Sequence, residues 1–237
     1  MAKYIIKRVI AAILTIWVLI TIVFFLVRLM PGDPFTSAKL TDEVRANMEA
    51  YYGFDKPMIV QYGIYMVNLL HGDFGYSMKY TNKTVNDIIG ETFPFSADLG
   101  IRALLLALSI GLVLGIVSAR NRGKKLDFFC VIVAVLGTSI PDFIMGAALQ
   151  YFFGIKWGLF PVARYEGIEY TILPAFALAF YTLASVSRIM RASMLEVTSQ
   201  DYIKTARSKG VSELRITCKH QIRNAIMPVM TVMGPTV

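Results

Sequence analysis

Four stretches of this chain leave a folding protein almost no choice of environment. Residues 9–27 contain no charged side chain in 19 positions, residues 103–119 none in 17 and residues 172–186 none in 15. Residues 128–153 hold a single charge, Asp142. A helix that crosses a bilayer needs about 20 mainly apolar residues and satisfies its backbone hydrogen bonds internally. Four helical spans are therefore expected, with a fifth apolar run that begins near Ile226 and is cut short at Val237. The chain is 56% hydrophobic with a mean hydropathy of +0.57, above the roughly 45–50% of soluble domains. The fold class that follows is all-α, a polytopic bundle of transmembrane helices. The first span is too long for a leader and is followed by Met30-Pro31-Gly32-Asp33, with no small-x-small cleavage site, so it reads as a retained anchor.

A net charge of +8 raises nucleic acid as a partner, but the placement of the charges argues against it. Residues 1–8 carry three cations and no acid, residues 120–127 four cations and one acid, and residues 188–225 eight cations and three acids. Residues 31–97 carry five cations against eight acids, and residues 154–171 are neutral. Basic and non-basic loops alternate. The positive-inside rule then puts the N-terminus and the 120s and 190–225 loops in the cytoplasm, with residues 31–97 outside. Cys130 and Cys218 have neither metal spacing nor a disulfide framework and read as free thiols.

The outer segment is too long for a simple connector. Thr41 can cap a helix bearing Val44, Met48 and Tyr51 at helical spacing, and a second stripe joins Ile59, Tyr62, Met66 and Leu69/Leu70. Two short amphipathic helices are expected, on the membrane surface or folded over the span ends. Asp98 and Arg102, four apart, are expected to pair and hold the outer end of the second span. The third span is interrupted by Gly137-Thr138-Ser139-Ile140-Pro141-Asp142, where proline removes a donor and clashes with the preceding turn. A break at membrane depth is tolerated where protein or a water-filled cavity receives the freed groups. Ser139, Pro141 and Asp142 are thus pathway-lining candidates, the local alternative being that Asp142 or Thr138 serves the backbone at the kink.

Between the last full span and the final apolar run lies a charged segment with helix signals at both ends. Ser199 is a candidate N-cap, Asp201 falls in the first turn, and Arg207 and Lys209 in the last. Gly210 fits the C′ position, Ser212 can cap a second helix, and Val211 and Ile216 suit a hydrophobic staple. Helix, glycine corner, helix is the expectation. Tyr202, Ile203, Thr205 and Ala206 form its apolar and small-residue face. Composition leaves two occupants for that face, a soluble partner or anionic lipid.

The hairpin resembles the cytoplasmic EAA loop of ABC-importer permeases, whose pattern is Glu-Ala-Ala, three residues, Gly, then a spacer to Leu-Pro. Lys204, Thr205, Ala206 and Gly210 occupy that pattern, with Met227-Pro228 at its far end. The first two positions and the Leu depart from the general pattern and look like the peptide branch, where Thr-Ala-Arg-x-Lys-Gly and Arg-Asn-Ala-x-x-Pro are usual. YIIKRVIAAIL, LVRLMPGDP, YGFDKP, LLHGDFGYS and SIPDF resemble the same branch, so the likeness spans essentially all 237 residues. The resemblance implies a type I permease of the dipeptide/oligopeptide (peptide/nickel) family in the bacterial or archaeal cell membrane. It implies one membrane domain over 1–237 that lacks most of the last two of six spans, with an extracytoplasmic loop at 31–97 and a coupling loop at 191–225. It also implies a second homologous permease subunit, two ATP-binding subunits and an extracytoplasmic substrate-binding protein. Tyr202, Ile203, Thr205, Ala206 and Gly210 would couple to the ATPase, and no cofactor is expected.

Three other readings compete with this one. An enzyme would need a catalytic constellation, yet the two histidines, His71 and His220, fall on opposite sides of the membrane and no GxxxxGK[ST] loop is present. A secondary transporter would need ion-coupling groups, for which Asp142 alone is available. A permease for nickel or another small solute is the alternative within the family.

Overall fold

The computed structural model describes residues 2–29, 49–77, 80 and 83–234. Nine helices are delimited among them: α1 Ala2–Leu29, α2 Met58–Leu70, α3 Val85–Arg120, α4 Lys125–Ser139, α5 Asp142–Leu149, α6 Ile168–Thr198, α7 Asp201–Ser208, α8 Glu213–Ile216 and α9 Ile222–Met233. Three of them (α1, α3 and α6) are long and apolar enough to cross a membrane, four if the bent pair made by α4 and by α5 with its π-helical continuation Gln150–Lys156 is one span. The chain divides into two compact units, Met1–Phe93 and Pro94–Val237.

In the first unit α1 is exposed along almost its whole length, and only Phe24 is buried. Aromatic packing fastens its C-terminal end to α2. Phe24 stacks on Tyr65, Phe25 stacks on Tyr62, and the hydroxyls of Thr21 and Tyr62 lie 2.7 Å apart. The Arg28 guanidinium sits 4.1 Å above the Phe54 ring. The expected helix over the span end is therefore present. Of its predicted stripe, Tyr62 makes the contact, while Ile59 and Leu70 stay exposed, because long rings at Tyr62 and Tyr65 reach α1 first. Of the earlier helix, residues 49–52 are helical, while Thr41, Val44 and Met48 lie outside the described residues. The HGDFG run is a turn around Asp73. Its carboxylate accepts from the Tyr51 hydroxyl and, at 2.9 Å, from the Gly75 N–H, which together hold it below the usual carboxylate range. Gly75 has φ +85°, and a β-carbon there would stand 2.6 Å from the Tyr52 hydroxyl oxygen, so this turn requires glycine.

The second unit is built around α6. Lipid supplies no hydrophobic drive between helices, so membrane helices associate where small residues allow close backbone approach. α3 presents Ala103, Ala107, Gly111 and Gly115 at every fourth position, all buried. A β-carbon added at Gly111 would stand 2.8 Å from the Leu183 carbonyl oxygen, and one at Gly115 2.7 Å from the Ser187 carbonyl oxygen. On the other flank α4 turns Cys130, Ala134 and Gly137 inward, and a β-carbon at Gly137 would lie 2.5 Å from the Ala184 β-carbon. Ala225, Val229 and Met233 of α9 join Val186, Met190 and Met194 of α6 in an apolar cluster. Midway along α3, Arg102 Nε donates to Asp98 at 2.8 Å, the pair expected from the sequence. Tyr165, from the loop before α6, adds a third member by donating its hydroxyl to Asp98 and packing edge-on against Phe95.

The interruption in the third apolar run is more than a kink. α4 ends at Ser139, Ile140 is extended, and α5 starts at Asp142 with the axis of the pair turned by 109°. The 15 residues of α4 rise about 22 Å before the turn, short of a ~30 Å hydrocarbon core. Thr138 Oγ1 donates to the Ala134 carbonyl within its own helix, at 3.1 Å.

Gly115→Ala should destabilise the protein by about 1–3 kcal/mol, because the added methyl has nowhere to go between α3 and α6. Gly100→Ala, in the same helix with nothing within 4 Å of the added carbon, should be neutral or stabilising by up to about 1 kcal/mol. Thermal unfolding of the two purified variants in detergent checks the contrast.

Candidate functional site

The hairpin after α6 starts from a closed helix end. Thr198 Oγ1 donates to the Met194 carbonyl at 2.6 Å and Ser199 Oγ to the Glu196 carbonyl at 2.7 Å. Ser199, expected to cap the following helix, instead closes the preceding one, and the N-cap residue of α7 is Gln200, with no side-chain capping bond. The first turn of α7 holds Asp201, whose carboxylate is kept below its ordinary range by the Lys204 ammonium at 2.9 Å.

The corner itself follows the sequence. Gly210 has φ +73°, the Gly210 N–H donates to the Arg207 carbonyl at 2.9 Å, and the Val211 N–H to the Ala206 carbonyl at 3.2 Å. These two bonds make a Schellman motif, which satisfies the last carbonyls of α7. Arg207 spans the corner to Glu213 with a two-point contact of 2.6 and 3.1 Å, which holds the Glu213 carboxyl low and the Arg207 guanidinium high. Ser212 stands at the expected N-cap position of α8, but its hydroxyl makes no capping bond. α8 is only four residues long and widens into π-helical turns at Thr217–Gln221 that run directly into α9. The second arm of the hairpin is therefore continuous with the last apolar helix.

Burial divides the predicted contact residues. Tyr202 and Thr205 are exposed, Ala206 is half-buried and Gly210 is open to solvent. Ile203, placed on the contact face by the sequence pattern, is fully enclosed within this chain. It cannot also press into another protein; it anchors α7, as Ile216 anchors α8. Polar ties complete the attachment. Gln221 Nε2 donates to Thr198 Oγ1 at 2.9 Å, and Asn224 Nδ2 donates to the Tyr202 hydroxyl at 3.1 Å. The hairpin is thus a rigid corner fixed to the end of α6 and the start of α9.

Ser139, Pro141 and Asp142 form a second group, apart from the hairpin, at the bend between α4 and α5. All three are exposed in the single chain, and among the described residues the Asp142 side chain has no hydrogen bond or ion pair. The backbone role weighed for Asp142 thus has no bond behind it here, while Thr138 does bond its own helix.

One polar cluster escaped the sequence reading. Asp127, in the first turn of α4, is buried at 6% exposure and accepts four hydrogen bonds. Arg191 of α6 donates through Nε at 2.8 Å and Nη2 at 2.9 Å, Gly123 donates its N–H at 2.9 Å, and Ser118 of α3 donates its hydroxyl. The available signal was a lone acid among the four cations of the 120s loop, at the mouth of an apolar helix. Nothing in the spacing joins it to a residue 64 positions away.

Comparison with known proteins covers the whole chain. The family described as "Binding-protein-dependent transport system inner membrane component" matches residues 111–237, and "Binding-prot-dependent transport system membrane comp, N-term" matches residues 1–100. The chain is 44% identical to the dipeptide transport system permease protein DppB of Bacillus subtilis (strain 168), over 100% of this chain and 77% of that protein. It is 39% identical to DppB of Lactococcus lactis subsp. cremoris, over 99% of this chain and 78% of that protein. It is 41% identical to the oligopeptide transport system permease protein OppB of Haemophilus influenzae, over the same shares.

Thr198→Val removes the acceptor for the Gln221 amide, itself only 4% exposed, and should cost about 1–3 kcal/mol. The loss should be local. Limited trypsin digestion should cut at exposed Lys204 and Lys209 faster than in the parent, at temperatures where the bundle stays intact.

Proposed function

Because the chain belongs to the family of binding-protein-dependent transport system inner membrane components, we propose that it is one of two similar permease subunits that together form the membrane pathway of an ATP-driven peptide importer. Peptides are favoured over nickel because the relatives similar along its whole length are named for dipeptide and oligopeptide transport. In this reading 1–237 acts as one membrane domain with its N-terminus in the cytoplasm. Its basic loops, 191–225 among them, lie inside and residues 31–97 outside, as the charge asymmetry favours. An extracytoplasmic binding protein delivers substrate, and two separate subunits hydrolyse ATP.

The observation that carries the proposal is the rigid hairpin. A loop that merely connected two spans would have no need of a Schellman corner, a bidentate ion pair across it and two fully enclosed isoleucines. Fixed in this way, it offers Tyr202, Thr205 and half-buried Ala206 as a small, preformed knob for a groove in an ATPase subunit. Movement of that subunit would displace α6 and α9 with the hairpin, since Ile203, Ile216 and the Gln221–Thr198 bond leave no slack. The bend at Ser139, Pro141 and Asp142 supplies exposed polar groups for the pathway between paired permeases.

Two variants test coupling. Gly210→Val meets no clash but disfavours the left-handed backbone by roughly 1–2 kcal/mol, which misplaces α7. Thr205→Trp adds bulk on the exposed face and leaves the helix intact. Both should insert in the membrane yet lose the co-purifying ATPase subunits, or lose ATP turnover stimulated by the binding protein. Normal association and uptake in both would remove the hairpin as the coupling element and make anionic lipid its better partner. With the exposed native thiol removed by Cys218→Ser, cysteines at Ser139 and Asp142 should react with a water-soluble maleimide in one nucleotide state and be protected in another; protection in every state would make the bend a packed kink.

A further inference from the structure

Between the hairpin and the bend stands the Asp127 cluster, which the proposed function leaves without a task. It joins three helices at one level: the last turns of α3 through Ser118, the first turn of α4 through Asp127, and α6 through Arg191, seven residues before the helix end at Thr198. Seven residues are about 10 Å of helix, so the cluster sits close behind the hairpin. Fourteen residues after it along the chain comes the bend, about 20 Å away along α4.

The rest of the α4–α6 contact has a different character. On α4 its residues are small: Cys130 and Ala134 are buried, and Gly137 lies against the Ala184 β-carbon and the Phe180 carbonyl. Such faces allow close approach but fix no direction, and one helix can pivot or slide on the other. Among the described residues, the Asp127–Arg191 contact is the side-chain hydrogen-bonded link between α4 and α6. It is a two-point fork, which sets angle as well as distance. The carboxylate is saturated by four donors, so it has no competing partner to rotate towards. Buried ion pairs are poor devices for stability, since apolar replacements often serve as well. Directional registration is what this one adds to an interface of small residues.

We propose that Asp127 and Arg191, oriented by Ser118 and the Gly123 N–H, form the joint that passes displacement of the hairpin from α6 to α4 and so to the bend at Ser139–Asp142. They act as positioning residues and touch neither ATP nor the transported solute. When α6 is moved by the hairpin, the fork makes the start of α4 follow, and the small-residue face lets the remainder of α4 swing.

This inference rests on the hairpin being the coupling element, so the test separates the two. The complete complex, with the second permease and both ATPase subunits, is purified with Ser139→Cys as reporter in a Cys218→Ser background, which removes the exposed native thiol and leaves buried Cys130. Maleimide labelling is compared in the nucleotide-free and vanadate-trapped states. Arg191→Lys keeps the charge but loses the fork. Asp127→Asn/Arg191→Gln removes both charges without stranding either. The expected result is a complex that assembles and hydrolyses ATP, while the state-dependent difference in Ser139 labelling falls by about fivefold or more, the lower end of ordinary coupling between sites. The proposal is overturned if assembled Arg191→Lys and double-variant complexes keep the parental difference, or if the parent shows no difference at Ser139. Should the double variant fail to assemble, Arg191→Lys decides, and failure of both to assemble assigns the pair to folding alone. Loss of the hairpin reading has another signature: Gly210→Val and Thr205→Trp stay coupled. Loss of the joint alone leaves those two uncoupled and Arg191→Lys normal.

Discussion

Everything in the second unit depends on how closely helices can approach α6. In a bilayer the lipid tails are as apolar as the side chains, so association rests on contact and on polar bonds rather than on expulsion of water. The chain meets this constraint with glycine and alanine. Ala103, Ala107, Gly111 and Gly115 let α3 lie against the carbonyls of Leu183 and Ser187, and Gly137 does the same for α4 at Ala184. Large side chains at these positions would push both helices outward and separate Asp127 from Arg191. The ion pair between α4 and α6 depends on that close approach.

Polar bonds then appear where small-residue packing ends. At one end of the bundle Asp98 gathers Arg102 and Tyr165, which ties the loop before α6 to α3. At the other Asp127 gathers Ser118, Gly123 and Arg191. The hairpin adds Gln221–Thr198 and Asn224–Tyr202. Between these ends the contacts are apolar and directionless.

Much of the hairpin was legible from sequence because its signals are local. Gly210 needs a left-handed backbone for reasons internal to residues 206–211, and Asp201, Arg207 and Ser212 are read from the same few turns. Ser199 misled because a serine hydroxyl can close the helix behind it as readily as open the one ahead, and only the chain path past Thr198 chooses. Ile203 misled because the periodicity that marks an apolar face does not say what covers it. The break at Pro141 was visible from proline chemistry, but its angle of 109° was not, since a removed donor and a clash permit many directions.

By itself the sequence determined that this chain is a helical membrane protein, where its apolar runs lie, that one run is broken, and that a capped corner falls between two others. These follow from hydropathy, proline and glycine, which act over a few residues. Tertiary structure alone decided which helix is central, that Ile203 faces inward, and that Asp127 meets Arg191 across 64 positions. Those outcomes depend on which faces of α3, α4 and α6 can approach one another, and that is a property of the packed helices jointly and of none of them alone.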